Sequence, residues 1–296
     1  MNNECNLCPR KCKVNRENGE IGFCGAESMI KIARADLHFG EEPCISGKNG
    51  SGTVFFSGCN MKCIFCQNYE ISTLNKGYNV SVEGLADIFI KLKNKGAHNI
   101  NLVTGTHYTD KIIQALDIAK SNGLDIPKVY NSGGYESVET IKQLSGYIDV
   151  YMPDMKYFDD KYAVKFSSAS NYFDIAKAAI SEMYKQVGKP VFDEYGIMKK
   201  GIIVRHLMLP GLLFDSKKII DYLYETYKDN IYISIMSQYT PTENTCKVEK
   251  LNRLLNPKHY ETMIDYCEYK GIRNAYIQGV ESTGKEFIPE FYDEEK

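Results

Sequence analysis

Beyond about residue 50, the apolar positions of the chain alternate between two rhythms. Short apolar or β-branched runs at 53–57, 99–103, 128–130, 148–152, 201–208 and 231–236 read as strands. Longer stretches at 82–95, 110–121, 137–144, 174–187, 217–227 and 260–270 carry helical spacing. Strand–helix alternation with short connections predicts parallel strands joined by right-handed crossovers. Six such units predict an α/β fold of partial (β/α)6 TIM-like barrel type, with a doubly wound open sheet as the alternative that periodicity leaves open. In both architectures the active site lies at the C-terminal ends of the strands.

Residues 1–27 show neither rhythm. They are polar, contain glycine and are rich in cysteine, and they precede an extended segment at 28–37 and a turn-rich stretch through Gly47, Gly50 and Gly52. This predicts an N-terminal Cys-rich segment over 1–50 and a barrel core over 51–296. The acidic tail Asp293-Glu294-Glu295 is expected to be solvated.

A chain of 296 residues fits one large α/β domain, with or without a small appendage. A hydrophobic content of 43% supplies a core, and a net charge of −2 gives no global basic field to attract nucleic acid or an anionic membrane. No apolar run approaches the roughly 20 residues of a membrane span. The start Met1-Asn2-Asn3-Glu4-Cys5 lacks the basic and apolar regions of a signal peptide, so a cytoplasmic location is expected.

Ten cysteines change the picture, because seven of them fall into two tight groups. Cys59, Cys63 and Cys66 stand in Phe56-Ser57-Gly58-Cys59-Asn60-Met61-Lys62-Cys63-Ile64-Phe65-Cys66, just past the first barrel strand. Three thiolates at this spacing suit three corners of a 4Fe-4S cluster and leave the fourth iron open for chemistry. Zinc is the competing occupant, but structural zinc usually takes four protein ligands, and no fourth one follows before His98. Cys5, Cys8, Cys12 and Cys24 form the other group, in a segment too polar to build a core without a staple. Zinc is the simplest occupant of four thiolates, and a second iron–sulfur cluster is its rival. Cys44, Cys246 and Cys267 are scattered and read as small buried hydrophobes.

The triplet with Phe65 before its last cysteine resembles the C-x3-C-x-φ-C pattern of the radical S-adenosylmethionine (radical SAM) superfamily. Further runs resemble its PflX-type proteins, relatives of pyruvate formate-lyase activating enzyme. They are Leu7-Cys8-Pro9-Arg10, His38-Phe39-Gly40-Glu41-Glu42-Pro43, Cys66-Gln67-Asn68-Tyr69-Glu70, Tyr151-Met152-Pro153-Asp154-Met155-Lys156 and Arg205-His206-Leu207-Met208-Leu209-Pro210-Gly211. The resemblance spans Cys5 to about Gln278. It implies a 4Fe-4S cluster, S-adenosylmethionine as cosubstrate, an electron donor such as flavodoxin or ferredoxin, and hydrogen abstraction from a substrate. That substrate is a protein glycine, a peptide or a small metabolite; a non-catalytic metal-binding scaffold is the competing class.

Carried over residue by residue, the resemblance implies Arg205 near the SAM carboxylate, and Asp154 with Lys156 against SAM and a monovalent cation. Asn131 and Ser132 fall to ribose hydroxyls or that cation. One departure stands out. The activating enzymes carry Gly-Gly-Glu after the second strand, where this chain has Val103-Thr104-Gly105-Thr106-His107. Backbone groups and Thr104 or Thr106 are then expected to serve SAM, His107 to replace the acid or act on substrate, and Tyr239 to act as a radical or hydrogen-bond relay. His38, Glu41 and Glu42 are expected either to close over the cluster or to form a solvated turn.

Overall fold

The computed structural model describes residues 4–278; the tail at 293–295 lies outside them. In chain order the strands and helices are β1 (Ile30–His38), α1 (Pro43–Ser46), β2 (Ser51–Phe56), α2 (Tyr69–Ser72), β3 (Tyr78–Val80), α3 (Val82–Asn94), β4 (Ile100–Val103), α4 (Thr109–Ser121) and β5 (Lys128–Ser132). There follow α5 (Val138–Gln143), β6 (Val150–Pro153), α6 (Asp160–Ser167), α7 (Tyr172–Val187), β7 (Val191–Phe192), β8 (Met198–Leu207), α8 (Leu213–Tyr227), β9 (Tyr232–Met236), α9 (Pro257–Lys270) and β10 (Ala275–Ile277).

The sheet runs β10-β9-β8-β6-β5-β4-β2-β1-β3, with β7 as a short antiparallel appendage on β8. From β2 to β10 every neighbouring pair on this path is parallel. Their spatial order follows their sequence order without reversal. A doubly wound sheet needs a switch point where the order reverses, so that alternative is excluded. Crossovers of one hand then put the helices on one face, and the sheet wraps as a partial (β/α)6 barrel.

Local chemistry explains the helices. Ser81 caps α3 by accepting the Gly84 N–H at 3.0 Å, and Leu85, Ala86, Phe89 and Leu92 bury one stripe against the sheet. Pro257 opens α9 after the Asn256 cap, and Gly271 closes it in the left-handed region that glycine tolerates. Along β5, Val129 and Asn131 face the barrel interior, while Tyr130 joins the outer core with Leu116 and Ile141.

The N-terminal part is continuous with this barrel. β1 pairs antiparallel with β2 from Ile32↔Phe56 to His38↔Ser51, so the boundary expected near residue 50 falls inside a strand pair. After β1, α1 turns under the strands. Cys44 and Ile45 pack with Val129, Val150, Met152 and Ile203 and close the N-terminal end of the barrel. Cys44 and Cys267 are buried as expected, whereas Cys246 is exposed. Among the described residues no helix is long and apolar enough to cross a membrane.

Candidate active site

The loop after β2 carries the cysteine triplet to the C-terminal rim. Gly58 has φ +88°, and a Cβ there would come within 2.7 Å of the Cys24 carbonyl, so both conformation and space demand glycine. The Lys62 and Ile64 amides donate to the Ser167 and Phe166 carbonyls at 3.0 and 2.9 Å, pinning the loop to the end of α6. Cys59, Cys63 and Cys66 all line one cavity of about 460 Å³. Each sulfur has a polar neighbour. The Met61 amide donates to Cys59 Sγ at 3.4 Å, the Ser167 hydroxyl donates to Cys63 Sγ at 3.0 Å, and Cys66 Sγ lies 3.2 Å from Ser72 Oγ. Burial pushes the Cys59 thiol up to about 12 and the Cys63 thiol to about 11. Donors aimed at sulfur are the outer support that thiolate metal ligands use, so the triplet fits a cluster.

The remaining walls come from four neighbouring strand ends. Thr104, Asn131, Ser132, Asp154, Lys156 and Arg205 all line the same cavity. Thr104 has φ +60°, a strained value for a β-branched residue, and its amide donates to the Asn131 carbonyl at 2.8 Å. Lys156 Nζ lies 2.5 Å from Asp154 Oδ2. Burial works against the charge on Lys156, but Asp154 outweighs it and holds the pKa above the ordinary lysine value.

Arg205 departs from expectation. Its guanidinium does not stand free for a ligand carboxylate. Nε donates to Glu42 Oε1 at 2.9 Å, Nη2 to Glu42 Oε2 at 2.5 Å, and Nη2 also pairs with Glu41. Burial opposes charging Glu42, yet Arg205 beside it keeps the carboxyl below its usual range. Glu41 Oε1 accepts from Asn101 Nδ2 at 2.8 Å and Asn131 Nδ2 at 3.4 Å. The acidic pair is therefore not a solvated turn, and it lines the same cavity as the three cysteines. Glu41 and Glu42 sit in the barrel interior, carried there by the turn before α1.

Two residues expected to be catalytic stand elsewhere. His107 is buried behind Gly58, its Nε2 2.8 Å from the Ser57 carbonyl oxygen, and it does not line the cavity. Burial drops its pKa to about 4, so the ring is a neutral structural group. Tyr239 is 1% exposed, and its hydroxyl donates to the Leu251 carbonyl at 2.6 Å. Both are drawn off the strand ends by the turns that follow β4 and β9.

The N-terminal cysteines pack beside the triplet loop. Cys8 and Cys24 are buried, and Cys5 and Cys12 are half-buried. Burial raises the Cys8 thiol to about 12, with Glu136, Cys24 and Cys5 adding to the rise. Arg16 Nη2 donates to Cys5 Sγ at 3.5 Å, and a Cβ on Gly22 would meet Cys12 Sγ at 2.6 Å. Thr140 donates to the Leu7 carbonyl at 2.7 Å and Arg10 Nε to the Asn60 carbonyl at 3.0 Å, which ties the segment to the barrel. Among the described residues, no three Cys, His, Asp or Glu side chains converge closely enough to hold a single metal ion. One zinc ion would draw thiolates to about 3.8 Å apart, given Zn–S bonds of about 2.3 Å; a four-iron cluster holds them wider.

Sequence reasoning missed Ser72 and Ser167 and gave no pairing for Glu42. Ser167 lies 104 positions from the cysteine it touches, and no local pattern marks it.

A parallel barrel sheet with a C-x3-C-x2-C rim and a polar cavity under it defines a class, and the family comparison agrees. Residues 53–223 match the Radical SAM superfamily. The chain belongs to that superfamily, whose members use a 4Fe-4S cluster and S-adenosylmethionine. It is 32% identical over 274 residues to an uncharacterized protein, MJ0674, of Methanocaldococcus jannaschii, covering 89% of this chain and 74% of the relative. Among solved structures it resembles SuiB of Streptococcus suis bound to precursor peptide SuiA (TM-score 0.49, 14% identity, 75% of this chain and 46% of SuiB). It also resembles methylornithine synthase (TM-score 0.49, 15% identity, 73% of this chain and 60% of that one). A domain of pyruvate-formate lyase-activating enzyme from Bacteroides vulgatus matches at TM-score 0.42 and 14% identity, over 58% of this chain and 92% of that domain. The chain thus spans less than two thirds of SuiB and of methylornithine synthase.

Proposed function

We propose that this chain cleaves S-adenosylmethionine reductively and abstracts a hydrogen atom from a substrate held inside the barrel. The carrying observation is that the three cysteines and the polar strand ends line one cavity. Cys59, Cys63 and Cys66 hold the cluster. A cluster bound there would supply the electron that reductive cleavage of SAM to a carbon radical requires. The residues do the rest. Asp154 and Lys156 set paired charges beside Cys63 for the zwitterionic end of SAM and a monovalent cation. Thr104, Asn131 and Ser132 offer hydrogen bonds to its amino group and ribose. The barrel walls exclude water from the radical.

Anaerobic incubation of the reconstituted protein with SAM and dithionite tests this reading. 5′-Deoxyadenosine should form and should vanish in Cys63→Ala. No 5′-deoxyadenosine at any cluster loading would overturn it and leave a metal-binding scaffold. Activation of a glycyl radical enzyme is one substrate class within this reading; peptide and metabolite modification are the others. The N-terminal cysteines hold a zinc ion or a second iron–sulfur cluster, which metal analysis of the full chain distinguishes.

A further inference from the structure

The two strand ends that carry Ser132, Asp154 and Lys156 meet behind the cavity wall on one hydroxyl. Tyr172 opens α7, is fully buried and does not itself line the cavity. The Lys156 amide donates to its hydroxyl oxygen at 3.0 Å. The hydroxyl proton is shared between the carbonyls of Gly133 at 2.9 Å and Asp154 at 3.0 Å. One side chain therefore holds three backbone groups, drawn from the turn after β5 and the turn after β6. Buried tyrosine hydroxyls usually find a partner. Here all the partners belong to the two turns that present the charged pair and Ser132 to the cavity, which is more than satisfying one hydroxyl requires.

The tyrosine is itself fixed from outside. Its amide donates to Asp160 Oδ1 at 3.2 Å, tying the start of α7 to α6. Its ring stacks on Tyr135 with centroids 6.2 Å apart and stands edge-on to Tyr157 at 5.5 Å. Tyr157 bonds Ser167, whose hydroxyl donates to Cys63 Sγ, so the same support reaches the triplet. Gly134 gives an independent sign. It has φ +77°, and a Cβ there would run into the Asp154 carbonyl oxygen and stand 3.0 Å from the Tyr172 hydroxyl. Only glycine lets the two turns close this tightly on the hydroxyl.

We propose that Tyr172 is a positioning residue for S-adenosylmethionine, its hydroxyl fixing the spacing between the Ser132 and Asp154–Lys156 strand ends before SAM arrives. It touches neither SAM nor the cluster and acts through Lys156 and Asp154. Removing the hydroxyl takes the acceptor from a buried amide and the donor from two carbonyls, so the turns relax and the contacts must be ordered at the moment of binding. The inference rests on the radical SAM reading of this cavity.

Calorimetric titration of SAM into the anaerobically reconstituted full chain, without reductant and at equal iron content, tests it. Tyr172→Phe should weaken SAM binding roughly tenfold, the scale on which losing an outer support weakens a bound metal. Tyr151→Phe, which loses a buried bond to Gln186 on the outer side of β6, should leave the affinity within about twofold. The double variant carries the readout that a general loss of stability would not move. Tyr172→Phe should cost far less SAM affinity in a Lys156→Ala chain than in the unmodified one, because the two act as a unit. Unchanged affinity in Tyr172→Phe, an equal loss in Tyr151→Phe, or losses that simply add in the double variant overturn the proposal. Where Tyr172→Phe fails to fold, amide hydrogen exchange of the unmodified chain decides. The Lys156 amide should exchange slowly before SAM is added, and fast exchange that only SAM slows overturns the proposal. A chain that binds no SAM overturns the reading of the cavity together with this proposal; SAM binding indifferent to Tyr172 overturns this proposal alone.

Discussion

The carbonyl of Cys24 accepts the amide hydrogen of Cys59 at 3.2 Å. A member of the N-terminal quartet is thereby bonded through the backbone to the first cysteine of the triplet. The two thiol groups share one piece of folded chain, and Gly58 is the close approach that permits it.

Disturbing the quartet should therefore reach the triplet. In Cys8→Ser the N-terminal segment loses an anchor, and the triplet should lose iron several-fold faster in air, as for other supporting residues around metal ligands. Bleaching of the visible absorption against time checks this. An unchanged rate would mean that the segments are mechanically independent.

Ser167 should tune the cluster. Its hydroxyl donates to Cys63 Sγ at 3.0 Å and lies 2.7 Å from the Tyr157 hydroxyl. Hydrogen bonds to ligand sulfur favour the more negative, reduced form. Ser167→Ala should lower the midpoint potential by roughly 60 mV, one tenfold step for one electron. Ser167→Thr should restore it, as read by an EPR-monitored redox titration.

Tyr239→Phe separates packing from chemistry. The variant loses the bond to the Leu251 carbonyl and should be destabilised by about 1 kcal/mol, more if that carbonyl stays dry. SAM cleavage should persist at the elevated protein concentration used for assay. A normal denaturation midpoint with abolished cleavage would restore Tyr239 to the reaction path.

Two buried groups bias stability in opposite directions with pH. Burial drops His206 from 6.5 to about 4, although the Met155 carbonyl opposes the shift. The unfolded chain then binds a proton that the folded one refuses, so this contribution is lost as pH falls from 6.5 towards 4. Burial raises Glu136 from 4.5 to about 8, against hydrogen bonds from Thr106 and Tyr130. There the folded chain holds the extra proton, and stability declines as pH rises from 4.5 through 8. Each group gives a slope of roughly 1.4 kcal/mol per pH unit inside its window. Glu136→Gln should flatten the fall in the urea midpoint between pH 6.5 and 8 while leaving the acid limb in place.

The barrel was legible because its strands alternate with amphipathic helices of ordinary length, and the triplet because its spacing is local. What escaped depended on distant partners or short elements. β3 and β10 have three residues each, too few for a period. His107 and Tyr239 follow strands directly, which reads as a rim position until a turn carries the side chain inwards. Arg205 and Glu42 are 163 positions apart, and an Arg before Leu-Pro-Gly looks the same whether its fork meets a ligand or a glutamate. The N-terminal strand β1 was legible as extended, but its pairing with β2 was not, since nothing in a single strand names its neighbour.

Glu41 and Glu42 stand directly ahead of α1, whose Ile45 is wedged among Val129, Val150 and Ile203. The packing of one isoleucine thus acts as a depth stop for the carboxylates. Trimming Ile45 to alanine alters no group that touches a ligand, yet it lets the acidic turn settle deeper. The charged floor that Arg205, Glu41 and Glu42 give the cavity would then lie lower in the barrel.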